Sequence, residues 1–102
     1  MTSFALIIKH RTRAGMRPEV RAIWEKHMAP AVSANPGHLS YLYCFDNADP
    51  DCICAFQHYA SAEAAEQFLK TASYTAYLKE VEPLLFEPPQ VTALTPVWAK
   101  GS

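Results

Sequence analysis

The chain has 102 residues, of which half are hydrophobic and 19% are charged, and its formal net charge is −1. This length suits one domain over residues 1–102 with its folded part at about 4–98, and the composition argues against disorder. The balanced charge argues against nucleic-acid binding, which needs a basic surface. No apolar run is long enough for a membrane span, and no signal-peptide pattern is present. We therefore expect a cytoplasmic protein without nucleic-acid or membrane partners.

The first predicted elements are a strand and an amphipathic helix. Phe4–Ile8 is an apolar run of β type that continues to Arg11. Pro18 suits the first turn of a helix, where its missing N–H group is not needed. Apolar side chains then recur at helical spacing until Asn35-Pro36-Gly37 ends the helix. These side chains, with one histidine among them, are Val20, Ile23, Trp24, His27, Met28, Ala31 and Val32.

A hairpin, a second helical region and a last strand follow. Residues 38–45 and 52–59 form the predicted hairpin. Thr71–Ser73 then interrupts a helical pattern, which Pro83 ends. The last strand, over residues 91–98, contains a proline and is therefore an edge or bulged strand. The order β-α-β-β-α-β predicts a ferredoxin-like α+β fold, in which an antiparallel sheet carries its helices on one face.

The predicted sheet is apolar on both faces, although helices cover only one of them. The second face therefore needs a partner, and the simplest partner is an identical sheet related by a two-fold axis. We expect a homodimer that forms a dimeric α+β barrel. The alternating apolar residues are Ile7, Leu42, Ile53, Ala55 and Leu94 on one face, against Leu6, Ile8, Tyr41, Phe56 and Ala93 on the other.

The three cysteines, Cys44, Cys52 and Cys54, indicate neither disulfides nor a metal site. An odd number of cysteines fits reduced thiols better than a disulfide framework. Cys52 and Cys54 share one face of a strand, but no second pair of ligands stands at zinc-site spacing. We expect the cysteines to be small core residues.

Three stretches resemble the antibiotic biosynthesis monooxygenase family. Asn35-Pro36-Gly37 with His38–Tyr41 resembles the family's passage into its second strand, and Gln57–Ser61 resembles its passage into the second helix. Residues 81–85 with 88–91 resemble its closing stretch. The resemblance implies a homodimeric barrel with a pocket in each subunit between sheet and helices. It also implies oxygenation of quinols or polycyclic aromatics without metal, flavin or haem.

The sequence departs from this family at two positions. Many members carry histidines in and after the second helix, at positions that match Phe68 and Ser73. The haem-degrading branch needs an asparagine on the first strand, a tryptophan at the position of Phe68 and a histidine at that of Leu78, and all three are missing. Two functions therefore remain: a cofactor-independent monooxygenase for a quinol, hydroxyaromatic or polyketide-like compound, or a non-catalytic small-molecule-binding dimeric barrel.

Strand alternation assigns side chains to the two faces of the sheet, if the hairpin closes around residues 47–50. We expect one set to face the helices and the other, which carries more charge, to face the barrel interior and the dimer partner. The first set is Leu6, Ile8, His10, Leu39, Tyr41, Tyr43, Phe45, Cys54, Phe56 and His58, and the second is Lys9, Arg11, Leu42, Cys44, Asp46, Gln57 and Tyr59.

An aromatic pocket is expected where the first set meets the helices. It would suit a flat, electron-rich substrate that loses a proton and then reacts with O2, with no cofactor or metal. His58 is the predicted catalytic base and His10 the second candidate; they lie about 20 Å apart by strand rise and form no dyad. His38, beside a turn, is expected to be solvated. The predicted substrate-binding residues are Trp24, His27, Tyr41, Tyr43, Phe56, Phe68 and Tyr74.

Overall fold

Four strands form one antiparallel sheet in the computed structural model. The structure describes residues 2–100, so residues 1, 101 and 102 of the predicted domain lie outside the described residues. The predicted ferredoxin-like α+β fold is confirmed. The elements are β1 (Phe4–Arg11), α1 (Arg17–Ala34), β2 (His38–Phe45), β3 (Cys52–Tyr59), α2 (Ala62–Phe68), α3 (Ala72–Val81), a short 3-10 helix (Glu82–Leu84) and β4 (Gln90–Leu94). The strand order is β2-β3-β1-β4.

The second helical region is two helices, because a new N-cap follows the first. Ser61 caps α2, with its hydroxyl accepting from the Ala64 N–H at 3.1 Å. Thr71 caps α3 in the same way, accepting from the Tyr74 N–H at 3.3 Å. Such side chains satisfy amide groups that have no partner inside the helix. The predicted interruption at Thr71–Ser73 is therefore the start of α3.

The helices pack on one face of the sheet, which we call the helix face. Val20 and Met28 of α1 and Val81 of α3 are at most 2% exposed, and they cluster with Leu6 and Ile53 of the sheet. β4 is an edge strand that, among the described strands, pairs only with β1, and it is exposed throughout. It ends at Leu94, four residues earlier than predicted.

The pairing register of β2 with β3 differs by one residue from the prediction. The side chains of β3 therefore lie on the opposite faces of the sheet from those predicted. Phe45 pairs with Ile53, and the Asp46 N–H donates to the Cys52 carbonyl. Because side chains alternate along a strand, a one-residue shift exchanges the faces. Cys54, Phe56 and His58 were predicted to face the helices, but they lie on the opposite face of the sheet. Ile53, Ala55, Gln57 and Tyr59 face the helices instead.

Contacts within the turn and from α1 set this register. The Asp46 carboxylate accepts from the N–H groups of Ala48 and Asp49 at 2.7 and 3.0 Å. The Arg17 guanidinium of α1 donates to the carbonyls of Asp46, Asp49 and Cys52 at 3.0–3.2 Å. The strand ends at Phe45 and Cys52 match the prediction, but the ladder closes with the pair Phe45 and Ile53 and not around residues 47–50.

A bulge at the start of β2 corrects two further expectations. The pairing with β3 shifts between His38 and Ser40, which leaves Leu39 out of the alternation and 56% exposed rather than against the helices. His38 pairs with Tyr59 and lies on the helix face. It is therefore not the solvated turn residue that was expected.

The opposite face of the sheet, which we call the open face, carries no helix among residues 2–100 and is largely apolar. Leu42, Phe56 and Ile7 form one row across it, and Leu94 lies beside them. Leu42 is 57% exposed, and Phe56 and Leu94 are 37% exposed. Lys9, Arg11 and Cys44 are on this face as predicted, but Gln57 and Tyr59 are buried beneath the helices.

The three cysteines are free thiols, as expected, but only Cys52 is a core residue. Cys44 is exposed and Cys54 is half-buried, and the two are directly opposite each other on the open face. Within residues 2–100 no group of three or more histidine, cysteine or acidic side chains could hold a metal ion. No helix in the same range is long and apolar enough to span a membrane.

Candidate functional site

A layer of aromatic side chains, which we call the aromatic layer, separates the sheet from the helices. The Trp24 ring stacks on Tyr43 with their centroids 4.4 Å apart, and the Trp24 indole N–H donates to the Tyr41 hydroxyl at 3.2 Å. The Tyr74 ring lies 6.5 Å from those of Phe68 and Tyr77. All five tyrosines of the chain belong to this layer: Tyr41, Tyr43, Tyr59, Tyr74 and Tyr77.

A small cavity, which we call the chamber, lies inside the aromatic layer. Its volume is about 10 Å³, which is room for about one water molecule. Ile8, Met28 and Ala55 contribute to its apolar wall. Of the nine residues predicted to form the site, five line the chamber: His10, Trp24, Tyr41, Tyr43 and Tyr74.

Three buried polar atoms at the chamber have no hydrogen-bond partner within residues 2–100. They are Nδ1 of His10 and the hydroxyl oxygens of Tyr43 and Tyr77. A buried polar group without a partner costs about 1–3 kcal/mol, so folded proteins contain few of them. The three residues that carry these atoms all line this one cavity. The arrangement would be satisfied by a bound molecule that carries its own hydroxyl or carbonyl groups.

Burial keeps the chamber's polar groups uncharged. It lowers the pKa of His10 to about 4, so the imidazole is neutral at pH 7. It raises the pKa of Tyr41 to about 12 and also raises the pKa values of Tyr43 and Tyr77. These phenols therefore remain O–H donors at pH 7. The chamber combines one neutral imidazole with phenolic donors in an apolar wall.

A groove on the protein surface lies directly outside the chamber. It has a volume of about 280 Å³ and is bordered by Arg21, Glu25 and Phe45. Trp24 and Tyr43 line both the groove and the chamber. The stacked pair of Trp24 and Tyr43 is therefore the wall between the two spaces.

Four predicted site residues lie away from the chamber, and three of them are His58, Phe56 and His27. His58 and Phe56 are on the open face, where Nε2 of His58 is 2.9 Å from the Ser3 hydroxyl. His58 of β3 and His10 of β1 are thus on opposite faces of the sheet, at opposite ends of these two paired strands. His27 bonds to the Glu80 carboxylate and so links α1 to α3. This contact lowers the pKa of Glu80 and favours a structural role for His27.

A larger cavity, which we call the cleft, lies between the end of α1, the helix α2 and the start of α3. Its volume is about 460 Å³. Phe68, the ninth predicted residue, lines this cleft rather than the chamber, and so does Ser73. Phe68 also contacts the ring of His38 edge-on, with their centroids 4.5 Å apart. Sequence reasoning missed His38, and only its position just after Asn35-Pro36-Gly37 could have indicated it.

Comparison with known proteins identifies the family. The sequence profile described as antibiotic biosynthesis monooxygenase matches residues 3–80. The chain belongs to this family. Every chamber residue lies within the matched stretch. No protein of curated function matches the chain.

Solved structures share the fold over nearly the whole chain. A provisionally assigned family member from Chloroflexus aurantiacus is 27% identical, with a TM-score of 0.80 and 97% of each chain covered. A Mycobacterium tuberculosis protein is also 27% identical, with a TM-score of 0.84, covering 97% of this chain and 99% of its own. Another provisionally assigned member, from Nitrosomonas europaea, has a TM-score of 0.88 and covers 97% of this chain and 94% of its own. It is only 14% identical in sequence, so it supports the fold alone.

Proposed function

We propose that this protein is a cofactor-independent monooxygenase that acts on a quinol or a related hydroxyaromatic molecule in the chamber. Membership of the antibiotic biosynthesis monooxygenase family supports oxygenation as the class of reaction. The observation that carries the proposal is the group of three unpartnered polar atoms around one aromatic cavity. A quinol offers two hydroxyl groups on a flat ring, which complements such a wall.

The proposed reaction needs no reductant besides the substrate. A hydroquinone and O2 contain the same atoms as a hydroxyquinone and one water molecule. The substrate first loses a phenolic proton, and the resulting anion gives an electron to O2. The reduced oxygen then bonds to a ring carbon, and loss of water leaves the second carbonyl group. A dry cavity makes the anion more reactive because it carries no hydration shell.

His10 is the proposed proton acceptor. Its Nδ1 is buried and unpartnered, and the neutral imidazole is available at pH 7. A substrate anion formed beside the ring would stabilise the imidazolium and so raise its pKa. The hydroxyls of Tyr43 and Tyr77 would donate to the substrate oxygens. His58 takes no part in this proposal, because it lies on the open face.

Substrate binding requires the chamber to enlarge. At about 10 Å³ it is far smaller than the several hundred Å³ of a ligand pocket. The wall formed by Trp24 and Tyr43 adjoins the surface groove, so we infer that the substrate passes between these rings. The hydrogen bond from Trp24 to Tyr41 would then break or move.

We also infer that two copies pair through their open faces. Ile7, Leu42, Phe56 and Leu94 form an apolar patch on a sheet face without helices. Apolar surface of this kind is stabilised by burial against a partner. A second copy of the sheet is the complementary partner that the two-fold arrangement predicts.

A non-catalytic binding protein is the second candidate. The observation that favours it is the cleft, which at about 460 Å³ is large enough for a small aromatic molecule. It carries Phe68 and Ser73 at the positions where many family members resemble one another in having histidines. In this case the cleft would hold the ligand, and the chamber would be part of the core.

Oxygen uptake over a panel of quinols tests the proposal. Wild-type protein should consume O2 above the spontaneous rate, and His10→Phe should lower the enzymatic rate about 10²- to 10⁴-fold, the usual contribution of a general base. The same substitution at His58 tests the base predicted from the sequence, and we expect it to retain activity. Binding without uptake in wild-type protein would favour the non-catalytic function.

A further inference from the structure

Two thiols stand opposite each other on the open face, on neighbouring strands. Cys44 of β2 and Cys54 of β3 are direct partners in the register of these strands. Cys44 is exposed and Cys54 is half-buried. The chamber lies on the helix face, so the function proposed for it uses neither thiol.

The backbone spacing of this pair suits a disulfide bond. The Asp46 N–H donates to the Cys52 carbonyl at 3.1 Å, which sets the alternation of hydrogen-bonded and non-hydrogen-bonded pairs along the two strands. Cys44 and Cys54, two positions further along, therefore form a hydrogen-bonded pair. The Cα atoms of such a pair are about 5.5 Å apart, and disulfides join Cα atoms separated by about 4.4–6.8 Å. The two thiols can thus be joined without separating the strands.

Cys52, the third cysteine, is a poor partner for either thiol. It is 0% exposed, so a dissolved oxidant does not reach it. Burial, followed by the neighbouring Cys54, raises the pKa of the Cys52 thiol, which stays protonated at pH 7. The thiolate is the reactive form of cysteine. Along the strand the Cα atoms of Cys52 and Cys54 are about 6.7 Å apart, at the upper limit for a disulfide.

The position of Cys44 keeps it accessible when two copies pair through their open faces. β2 is an edge strand, so Cys44 lies at the rim of this face. The row that contains Cys44 and Cys54 continues to Lys9 on β1, and Arg11 beyond it pairs with Asp49 at 3.1 Å. Charged residues are depleted in the centre of protein interfaces and occur at the rim, which solvent reaches. The thiols therefore lie at the charged end of the open face, beside its apolar patch.

We propose that Cys44 and Cys54 are a peroxide-reactive dithiol that forms a reversible disulfide within one subunit. Cys44 reacts first because it is the exposed thiol. Its sulfur bonds to one peroxide oxygen while the O–O bond breaks, which yields a sulfenic acid and one water molecule. The Cys54 sulfur then attacks the Cys44 sulfur and releases a second water molecule. The two thiols lose two electrons in total, and hydrogen peroxide is reduced to two water molecules.

Peroxide treatment of the reduced full-length protein, followed by alkylation under denaturing conditions and mass spectrometry, tests this proposal. Of the three thiols in wild-type protein, we expect only one to remain open to alkylation, in a product of monomer mass. Dithiothreitol should restore all three. Cys54→Ser should stop at a sulfenic acid on Cys44 that dimedone traps. Cys44→Ser should consume peroxide about tenfold more slowly, because its remaining thiols are less accessible.

Cys52→Ala is the matched control, because it removes the one cysteine that the proposal leaves out. This variant should form the disulfide at the wild-type rate and lose both of its alkylatable thiols. Three alkylatable thiols after peroxide treatment of wild-type protein, a disulfide between two chains, or sulfinic acid at Cys44 would each overturn the proposal. So would a disulfide that persists in Cys44→Ser but is lost in Cys52→Ala, since this result would join Cys52 to Cys54.

Discussion

Replacing His10 with phenylalanine should remove an acid-sensitive part of the folding free energy. The imidazole is 4% exposed, and burial lowers its pKa from 6.5 to about 4. The unfolded chain therefore binds a proton near pH 6.5, whereas the folded chain binds one only near pH 4. Stability from this group is complete above pH 6.5 and is lost as the pH falls from about 6.5 to about 4.

The size of the effect follows from the two pKa values. A histidine with these values loses about 2 kcal/mol of unfolding free energy between pH 7 and pH 5, and about 3 kcal/mol between pH 7 and pH 4. His38, whose pKa is also lowered, adds to the loss in wild-type protein and remains in the variant. Between pH 7 and pH 5 the aspartate and glutamate side chains contribute little to the change in unfolding free energy, because they titrate at lower pH.

Urea unfolding of wild type and His10→Phe at pH 7 and pH 5, at one protein concentration, measures the difference. We expect the variant to lose about 2 kcal/mol less than wild type between the two pH values. Tyr77→Phe is the matched control, because it alters another unpartnered chamber group that does not titrate in this range. An equal loss in wild type and His10→Phe would refute the conclusion that the folded protein holds His10 neutral.

Further substitutions test the open face, the hairpin turn and a helix cap. Phe56→Asp should convert a dimer of about twice 11.4 kDa to a monomer in light scattering, and a wild-type monomer would contradict the inferred pairing. Arg17→Met should lower the unfolding free energy by about 2 kcal/mol, because three carbonyl groups lose their hydrogen-bond donor. As a control, Arg21→Met at an exposed position of the same helix should change the unfolding free energy by less than about 0.5 kcal/mol. Ser61→Ala should cost about 1 kcal/mol, as measured by urea unfolding.

The fold and half of the sheet alternation were predictable from local patterns. β1 contains no bulge, so alternation from Leu6 placed Ile8 and His10 on the correct face. The helical spacing from Val20 to Met28 likewise identified the buried stripe of α1. These patterns follow from the periods of strand and helix and need no long-range contact.

The register of β3 and the position of His38 depended on contacts that the sequence does not display. Arg17 fixes the turn from a helix about thirty residues away, and a bulge turns His38 inward. A one-residue error there moved Phe56 and His58 into the wrong set. Trp24, Tyr41, Tyr43 and Tyr74 of the chamber were predicted, whereas the small volume of the chamber depends on side-chain packing.

Oxygenation with ¹⁸O2 tests the central claim most directly. Wild-type protein is incubated with a quinol that it consumes, and the product is analysed by mass spectrometry, with His10→Phe alongside. The proposal predicts one ¹⁸O atom in each hydroxyquinone molecule and one in the released water, with product formation about 10²- to 10⁴-fold slower in the variant. A quinone without ¹⁸O, accompanied by hydrogen peroxide, or equal rates in the two proteins would contradict the assignment of the chamber as a monooxygenase site.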